Sequence, residues 1–424
     1  MKQMRTFLLL TVLVFIFAAG ALGQGTKSAT AANGPQAQPP PAARVVDLKA
    51  SDGTILKVSY FAAAKVGPAV LLFHQTNRTR KAWDDVAAQL AATGINTLTL
   101  DMRGFGESGG TPHDKLTSKE RSQVRKLRPT DIDTAWQYLL SQPGVKGAVI
   151  GLGGAGLDGV ENSVETATRH SSQVKSLVLL SGQTELAGRQ FLRQASQLPG
   201  LFVWADNDDY PPTAEVMEWL YGISSNPGKK FIHYAGVEAP WLGYESADVP
   251  ATGSHGTDLF KTHQDLPGII VDWFVTTLIK TPGQAPAGNN GPPGSLSMSI
   301  LDQIEMPGGA AKVAQQLNEA RGKDNAQLWP RILVNVMGYD NLQVGNTKLA
   351  LEIFKLNVTA YPDSADANDS LSDAYLANGE KDLARQYAER AFALVSSDTK
   401  ESEARRVVIR ESAQQKLKQL GAAH

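Results

Sequence analysis

His255 lies in the run Ala251-Thr-Gly-Ser-His-Gly-Thr-Asp258, flanked by Gly253 and Gly256. A neutral imidazole on such a turn can take a proton from an attacking group and give it back to a leaving group. Upstream, Trp204-Ala-Asp-Asn-Asp208 ends in a carboxylate that can accept the imidazole N–H, fix its tautomer and stabilise its charged form. Asp209 is the rival for that role, and either aspartate could instead cap a helix expected over 213–221. Acyl transfer by an imidazole and a carboxylate also needs an oxygen or sulfur nucleophile. The chain has no cysteine, and the glycine-rich run Ile150-Gly-Leu-Gly-Gly-Ala-Gly-Leu-Asp-Gly-Val160 has no serine. Asp158 is the one nucleophile candidate inside it; the alternative is that it caps a helix starting near Val160.

The elements that must position these groups follow from hydrophobic patterning. Ala69–Phe73 is a continuous apolar run, as expected of a strand buried on both faces. Further strands are expected at 96–100, 148–150, 176–180 and 201–204, with helices between them, the first over 83–92. Strand and helix in alternation predict a mostly parallel sheet covered on both sides. Ligands of such sheets bind at the carboxyl ends of the strands.

On these residues the stretch 45–280 resembles the α/β-hydrolase superfamily, and within it the dienelactone-hydrolase-like branch. Leu72-Phe-His-Gln-Thr76 resembles the oxyanion loop, Asp101-Met-Arg-Gly-Phe-Gly-Glu-Ser-Gly-Gly110 the following strand's turn, and 204–208 the acid loop. Gly253-Ser-His-Gly256 resembles the histidine loop. The resemblance implies that the run 150–160 is the nucleophile elbow, a strained strand-to-helix turn that tolerates only small neighbours. It implies His255 as base and Asp208 as its acid, with the backbone N–H of Gln75 as one oxyanion donor and that of the residue after the nucleophile as the other. His74 marks the strand end, where packing is its usual role. Matching the strand places Gly156 at the nucleophile position; matching the helix places Leu157 there. Gly159 would supply the small residue beyond. Neither register meets a serine. If Asp158 attacks, the resemblance is to haloalkane dehalogenases and epoxide hydrolases, although Gly159 stands where the dehalogenases carry a tryptophan and Val160 where a small residue is expected. Gly106-Glu-Ser108-Gly-Gly110 satisfies Gly-x-Ser-x-Gly literally, but outside the strand-turn-helix context that gives the motif meaning.

Other chemistries find little support. Lys and Arg number 41 against 42 Asp and Glu, which leaves no basic footprint for nucleic acid. The seven histidines show no ligand spacing, so no metal is expected. The run 151–156 resembles a dinucleotide fingerprint only in its glycine count, and no cofactor is expected.

Residues 1–23 read as a signal peptide: Lys2 and Arg5, an apolar core over 7–19, then small residues at the cleavage spacing. An uncleaved N-terminal anchor is the alternative. Cleavage would leave a secreted or periplasmic protein with no membrane span. Residues 24–44, rich in Ala, Gly, Pro and Gln, read as a disordered tether. The Pro/Gly-rich stretch 281–296 reads as a linker, and 297–424 as an all-α domain.

Within that tail, Gly345-Asn346, Ala350 and Phe354 recur at an offset of 34 as Gly379-Glu380, Ala384 and Ala388. The pattern resembles the tetratricopeptide repeat, with two units flanked by further helices near 310–321 and 401–420. That resemblance implies a surface for a protein or peptide partner. The expectation for the whole chain is a hydrolase-like domain lacking the usual nucleophile, with an interaction tail. The alternatives are an active hydrolase of small esters or lactones using His255 and Asp208, and an enzyme using Asp158 as nucleophile.

Overall fold

The computed structural model describes residues 42–206, 208, 213–235, 254–284, 296–306, 308–320, 329–399, 401 and 403–421. The expected signal peptide, most of the tether, the linker core over 285–295, and Asp209 lie outside them.

Among the described residues eight strands form one sheet: β1 (Arg44–Lys49), β2 (Ile55–Phe61), β3 (Gly67–Phe73), β4 (Asn96–Leu100), β5 (Val145–Ala155), β6 (Val174–Leu180), β7 (Gly200–Ala205) and β8 (Lys230–Tyr234). Their order is β1-β2-β4-β3-β5-β6-β7-β8. Only β2 runs against its neighbours; β4, β3, β5, β6, β7 and β8 pair in parallel. This is the mostly parallel sheet expected from the alternation of strands and helices. The first strand starts at Arg44, one residue inside the stretch read as tether.

Helices cover both faces: α1 (Asp84–Ala92), α2 (Ser118–Arg125), α3 (Arg128–Leu140), α4 (Gly156–Arg169), α5 (Leu186–Gln194), α6 (Thr213–Ile223), α7 (Leu259–Thr262) and α8 (Leu266–Phe274). Every residue of β3, β4 and β7 is buried. One face packs Leu71, Phe73, Leu152 and Leu179 against Ile132, Trp136 and Val160; the other packs Val70, Leu72 and Val178 against Trp83, Ile270 and Phe274. The period-two alternation of side chains sends neighbouring residues of one strand into the two cores. At roughly 2 kcal/mol per fully buried large apolar side chain, this double core accounts for a cysteine-free fold.

Among the described residues seven helices follow: α9 (Leu296–Glu305), α10 (Gly309–Ala320), α11 (Arg331–Gln343), α12 (Thr347–Ala360), α13 (Ala365–Ala377), α14 (Lys381–Leu394) and α15 (Glu403–Gly421). The helix starting at Leu296 takes the last residue read as linker. The pairs α11–α12 and α13–α14 superpose in sequence at an offset of 34 at both ends of both helices. Their turns are built alike: Gly345 and Gly379 adopt φ 82° and 80°, and Asn346 and Glu380 donate backbone N–H bonds to Asn341 and Tyr375. Gly338 lets α11 approach α12, since a Cβ there would lie 2.4 Å from the Phe354 ring.

The tail shares the hydrophobic core of the sheet's α3/α4/α6 face. Leu301, Ile304, Val313, Trp329, Leu333 and Met337 belong to the same apolar cluster as Met217 and Leu220. No helix among the described residues is long and apolar enough to cross a membrane.

Candidate active site

β5 passes into α4 with no intervening loop. Gly156, the first helical residue, has φ +68°, a left-handed conformation that L side chains adopt only under strain. The strand end and the first helical turn touch at two glycines: a Cβ on Gly154 would lie 1.9 Å from the Gly159 carbonyl oxygen, and one on Gly159 would lie 2.8 Å from that of Phe73. The small residue required beyond the turn is therefore Gly159, three positions after Gly156 rather than two.

The three loops expected to meet do meet. His255 donates from Nδ1 to Asp208 Oδ1 at 2.7 Å, with the aspartate side chain 2% exposed. That bond leaves Nε2 as the basic nitrogen of the neutral ring. A Cβ on Gly156 would stand 3.0 Å from that Nε2. Gly156 is the residue opposite His255 Nε2, and Leu157 follows it, with its N–H in the first turn of α4.

The same Cβ would lie only 2.5 Å from the Gln75 Cβ. The gap left by the missing side chain is closed from the opposite wall. Gln75 also clamps the histidine loop: its Oε1 accepts from Thr257 N at 2.7 Å and Thr257 Oγ1 at 3.0 Å, and its Nε2 donates to the His255 carbonyl at 3.3 Å. Gly256 turns there at φ +56°, with room for no Cβ beside Gln75 Oε1. A second clamp is the bidentate pair of Arg78 with Asp258, at 2.8 and 2.7 Å. Both clamps join residues about 180 positions apart, so no local pattern announces them.

His74 is buried. Its Nε2 accepts the Met102 N–H at 3.1 Å and its Nδ1 donates to the Gln75 carbonyl at 2.7 Å. Burial pushes its imidazole below the ordinary value, so it stays neutral and structural.

Asp158 turns its carboxylate to other partners. Arg128 donates to both oxygens at 2.7 Å, and Thr76 Oγ1 donates to Oδ2 at 3.1 Å. Burial pushes this carboxyl up, but the Arg128 charge and hydrogen bonds outweigh it and hold the group below its ordinary value. Arg128, the first residue of α3, is the Asp158 partner that sequence reasoning misses. Ser108 is a turn residue: its Oγ donates to the Asp101 carbonyl at 2.6 Å and accepts the Lys57 N–H at 2.8 Å. Among the described residues no group of His, Asp and Glu could hold a metal ion.

No protein-family model matches the chain. An epoxide hydrolase of Caballeronia sordidicola is 24% identical over 210 residues, which is 45% of this chain and 62% of that protein. The thiohydrolase aneE of Aspergillus aculeatus is 28% identical over 115 residues, 27% of this chain and 34% of that protein. The chain thus spans less than two thirds of the length of either relative. A solved dienelactone hydrolase from Anabaena variabilis is 18% identical, covering 56% of this chain and 99% of its own, with a TM-score of 0.40. Both sequence relatives are hydrolases by name.

Proposed function

We propose that this is an exported α/β-hydrolase-fold protein derived from a small-ester or lactone hydrolase. Its cleft binds ligand without nucleophilic acyl transfer, and its tetratricopeptide-like tail engages a protein or peptide. The observation that carries the reading is Gly156. The residue in the strained elbow conformation, opposite His255 Nε2, has no side chain to attack with. A covalent acyl-enzyme needs such an atom. The 34-residue offset of the helical hairpins supports the tail's assignment, because stacked hairpins of that period present a continuous surface. The purified full-length protein should remain unlabelled by fluorophosphonate probes; labelling at any serine overturns the reading.

A second reading is favoured by the intact 2.7 Å pair of His255 and Asp208. The imidazole would then act as general base on water attacking a small ester. Turnover of aryl esters that vanishes in His255→Ala supports it, and turnover unchanged by that substitution refutes it. Nucleophilic attack by Asp158, the chemistry suggested by the epoxide hydrolase relative's name, draws less support. Both of its oxygens are held by Arg128, and attack would have to break that pair.

A further inference from the structure

The segment that follows β6 walls the elbow from the neighbouring strand. Ser181 is buried and holds φ +50°; among the described residues it is the only non-glycine residue with positive φ. Its N–H donates to the Val203 carbonyl at 2.9 Å. Gly182 stands directly against the elbow: a Cβ there would lie 2.4 Å from both the Gly156 carbonyl oxygen and Val160 Cγ2. An L residue keeps a left-handed conformation only where its surroundings force it to. The forcing contacts lie on either side of Gly182 in the chain and in space. The Gly182 N–H donates to Met217 Sδ on α6 at 3.2 Å, and the Thr184 carbonyl accepts from Arg189 Nη1 on α5 at 2.7 Å. The first turn of α5 presses on Thr184 as well, since a Cβ on Gly188 would lie 1.9 Å from Thr184 Oγ1.

Both anchors have further partners in the tail. Arg189, 1% exposed, donates from Nε to Glu305 on α9 at 2.7 Å; its Nη2 lies 2.6 Å from the same oxygen, and its Nη1 lies 2.7 Å from Asp340 on α11. Its guanidinium also lies over the Trp219 ring on α6, 4.8 Å from the centroid. Arg193, one turn further along α5, pairs with Asp302 at 2.6 Å and with the second oxygen of Glu305 at 2.7 Å. Met217 belongs to the apolar cluster that contains Leu301, Ile304 and Met337 of the tail. A rigid fork of donors lets one guanidinium join α9, α11 and the Thr184 carbonyl, which the single ammonium of a lysine cannot do in the same geometry.

We propose that Arg189 is a positioning residue through which the tail shapes the wall of the cleft. Glu305 and Asp340 fix the guanidinium, the guanidinium fixes the Thr184 carbonyl, and residues 181–184 are thereby held in their strained form against Gly156. A change in the tail that frees Arg189 reaches the elbow without touching any cleft residue.

The test is a strain cycle in the full-length protein. Ser181→Ala keeps a Cβ and Ser181→Gly removes it, so the ratio of their unfolding constants, alanine over glycine, reads the left-handed conformation at this residue. Glycine's greater freedom in the unfolded chain enters that ratio equally in every background. The ratio should fall about fivefold to thirtyfold when Arg189→Lys is added, the size of the left-handed strain. Asp340→Ala, made on the tail alone, should move it in the same direction. Amide exchange gives a second readout: relative to β3, Gly182 should exchange at least about tenfold faster in Arg189→Lys, as expected for loss of a hydrogen bond from a charged donor. If Arg189→Lys does not fold, Asp340→Ala, which leaves the Arg189 side chain in place, carries both readouts. An unchanged ratio, or a Gly182 amide that exchanges in step with β3, overturns the proposal, because a merely stabilising ion pair would lower global stability and move neither. None of these readouts depends on whether the cleft binds or hydrolyses, so this proposal and the proposed function fail separately.

Discussion

Gly156→Ala adds a single methyl whose position is already defined by the backbone. It would lie 2.5 Å from Gln75 Cβ, 3.2 Å from Gln75 Cα and 3.0 Å from His255 Nε2. Real Cβ contacts sit near van der Waals distance, so the elbow and the 74–78 loop must separate by several tenths of an ångström. The backbone conformation at φ +68° adds roughly 1–2 kcal/mol for any L side chain. Forcing a methyl into a closed wall adds about 1–3 kcal/mol. The expected loss is therefore about 2–5 kcal/mol, read by chemical denaturation with an unchanged m-value. Gly156→Ser should lose a similar amount. If its neighbours give way, its hydroxyl comes within reach of His255 Nε2, and it should gain fluorophosphonate labelling that disappears when His255→Ala is added. A Gly156→Ala variant as stable as wild type to within about 0.5 kcal/mol would show that the elbow is open, and the account of a closed nucleophile position would fall. Labelling of a Leu157→Ser variant but not of Gly156→Ser would refute the register itself.

Arg128→Ala leaves the partly buried Asp158 without its cation and should cost about 1–3 kcal/mol, whereas adding Asp158→Asn to it should recover part of that loss; no recovery in a double-mutant cycle would deny the pairing. Because the Asp158 carboxyl is held below its ordinary value in the fold, its contribution is present above the unfolded carboxylate pKa and is lost as pH falls through the folded value. Acid titration of stability should accordingly be shallower in Arg128→Ala than in wild type. Gln75→Ala removes three hydrogen bonds from the histidine loop and should cost about 1–3 kcal/mol, with faster amide exchange at Thr257 as the specific sign. In the tail, Gly345→Ala and Gly379→Ala meet nothing within 4 Å, so each should cost only the left-handed backbone strain, about 1 kcal/mol and alike at both sites. Gly338→Ala, which meets the Phe354 ring, should cost more, and equal losses at all three would contradict the packing described.

The central strands are legible in the sequence because burial on both faces writes itself as continuous apolar runs, as in Ala69–Phe73 and Leu201–Trp204. β1 and β8 carry no such mark: they lie at the sheet's edges, and their burial patterns are mixed. The 34-residue recurrence of the tail is legible for a different reason. Left-handed turns at Gly345 and Gly379 and close helix approaches demand particular small residues at fixed spacing. For the site, the sequence alone established that an imidazole, a carboxylate and a glycine-rich bend occur in the expected order without a serine or cysteine in the bend. It left open whether Gly156 or Leu157 faces the base, and whether Asp208 or Asp209 supports it. Only the tertiary structure brings Gly156 opposite His255 Nε2 and Asp208 onto His255 Nδ1, because those distances depend on how the ends of β3, β5 and β7 meet the segment around residue 255. Arg128's hold on Asp158 and Arg189's hold on the tail are of the same kind. An ion pair between distant segments leaves no periodicity in either one, and its strength depends on burial that only the folded chain creates.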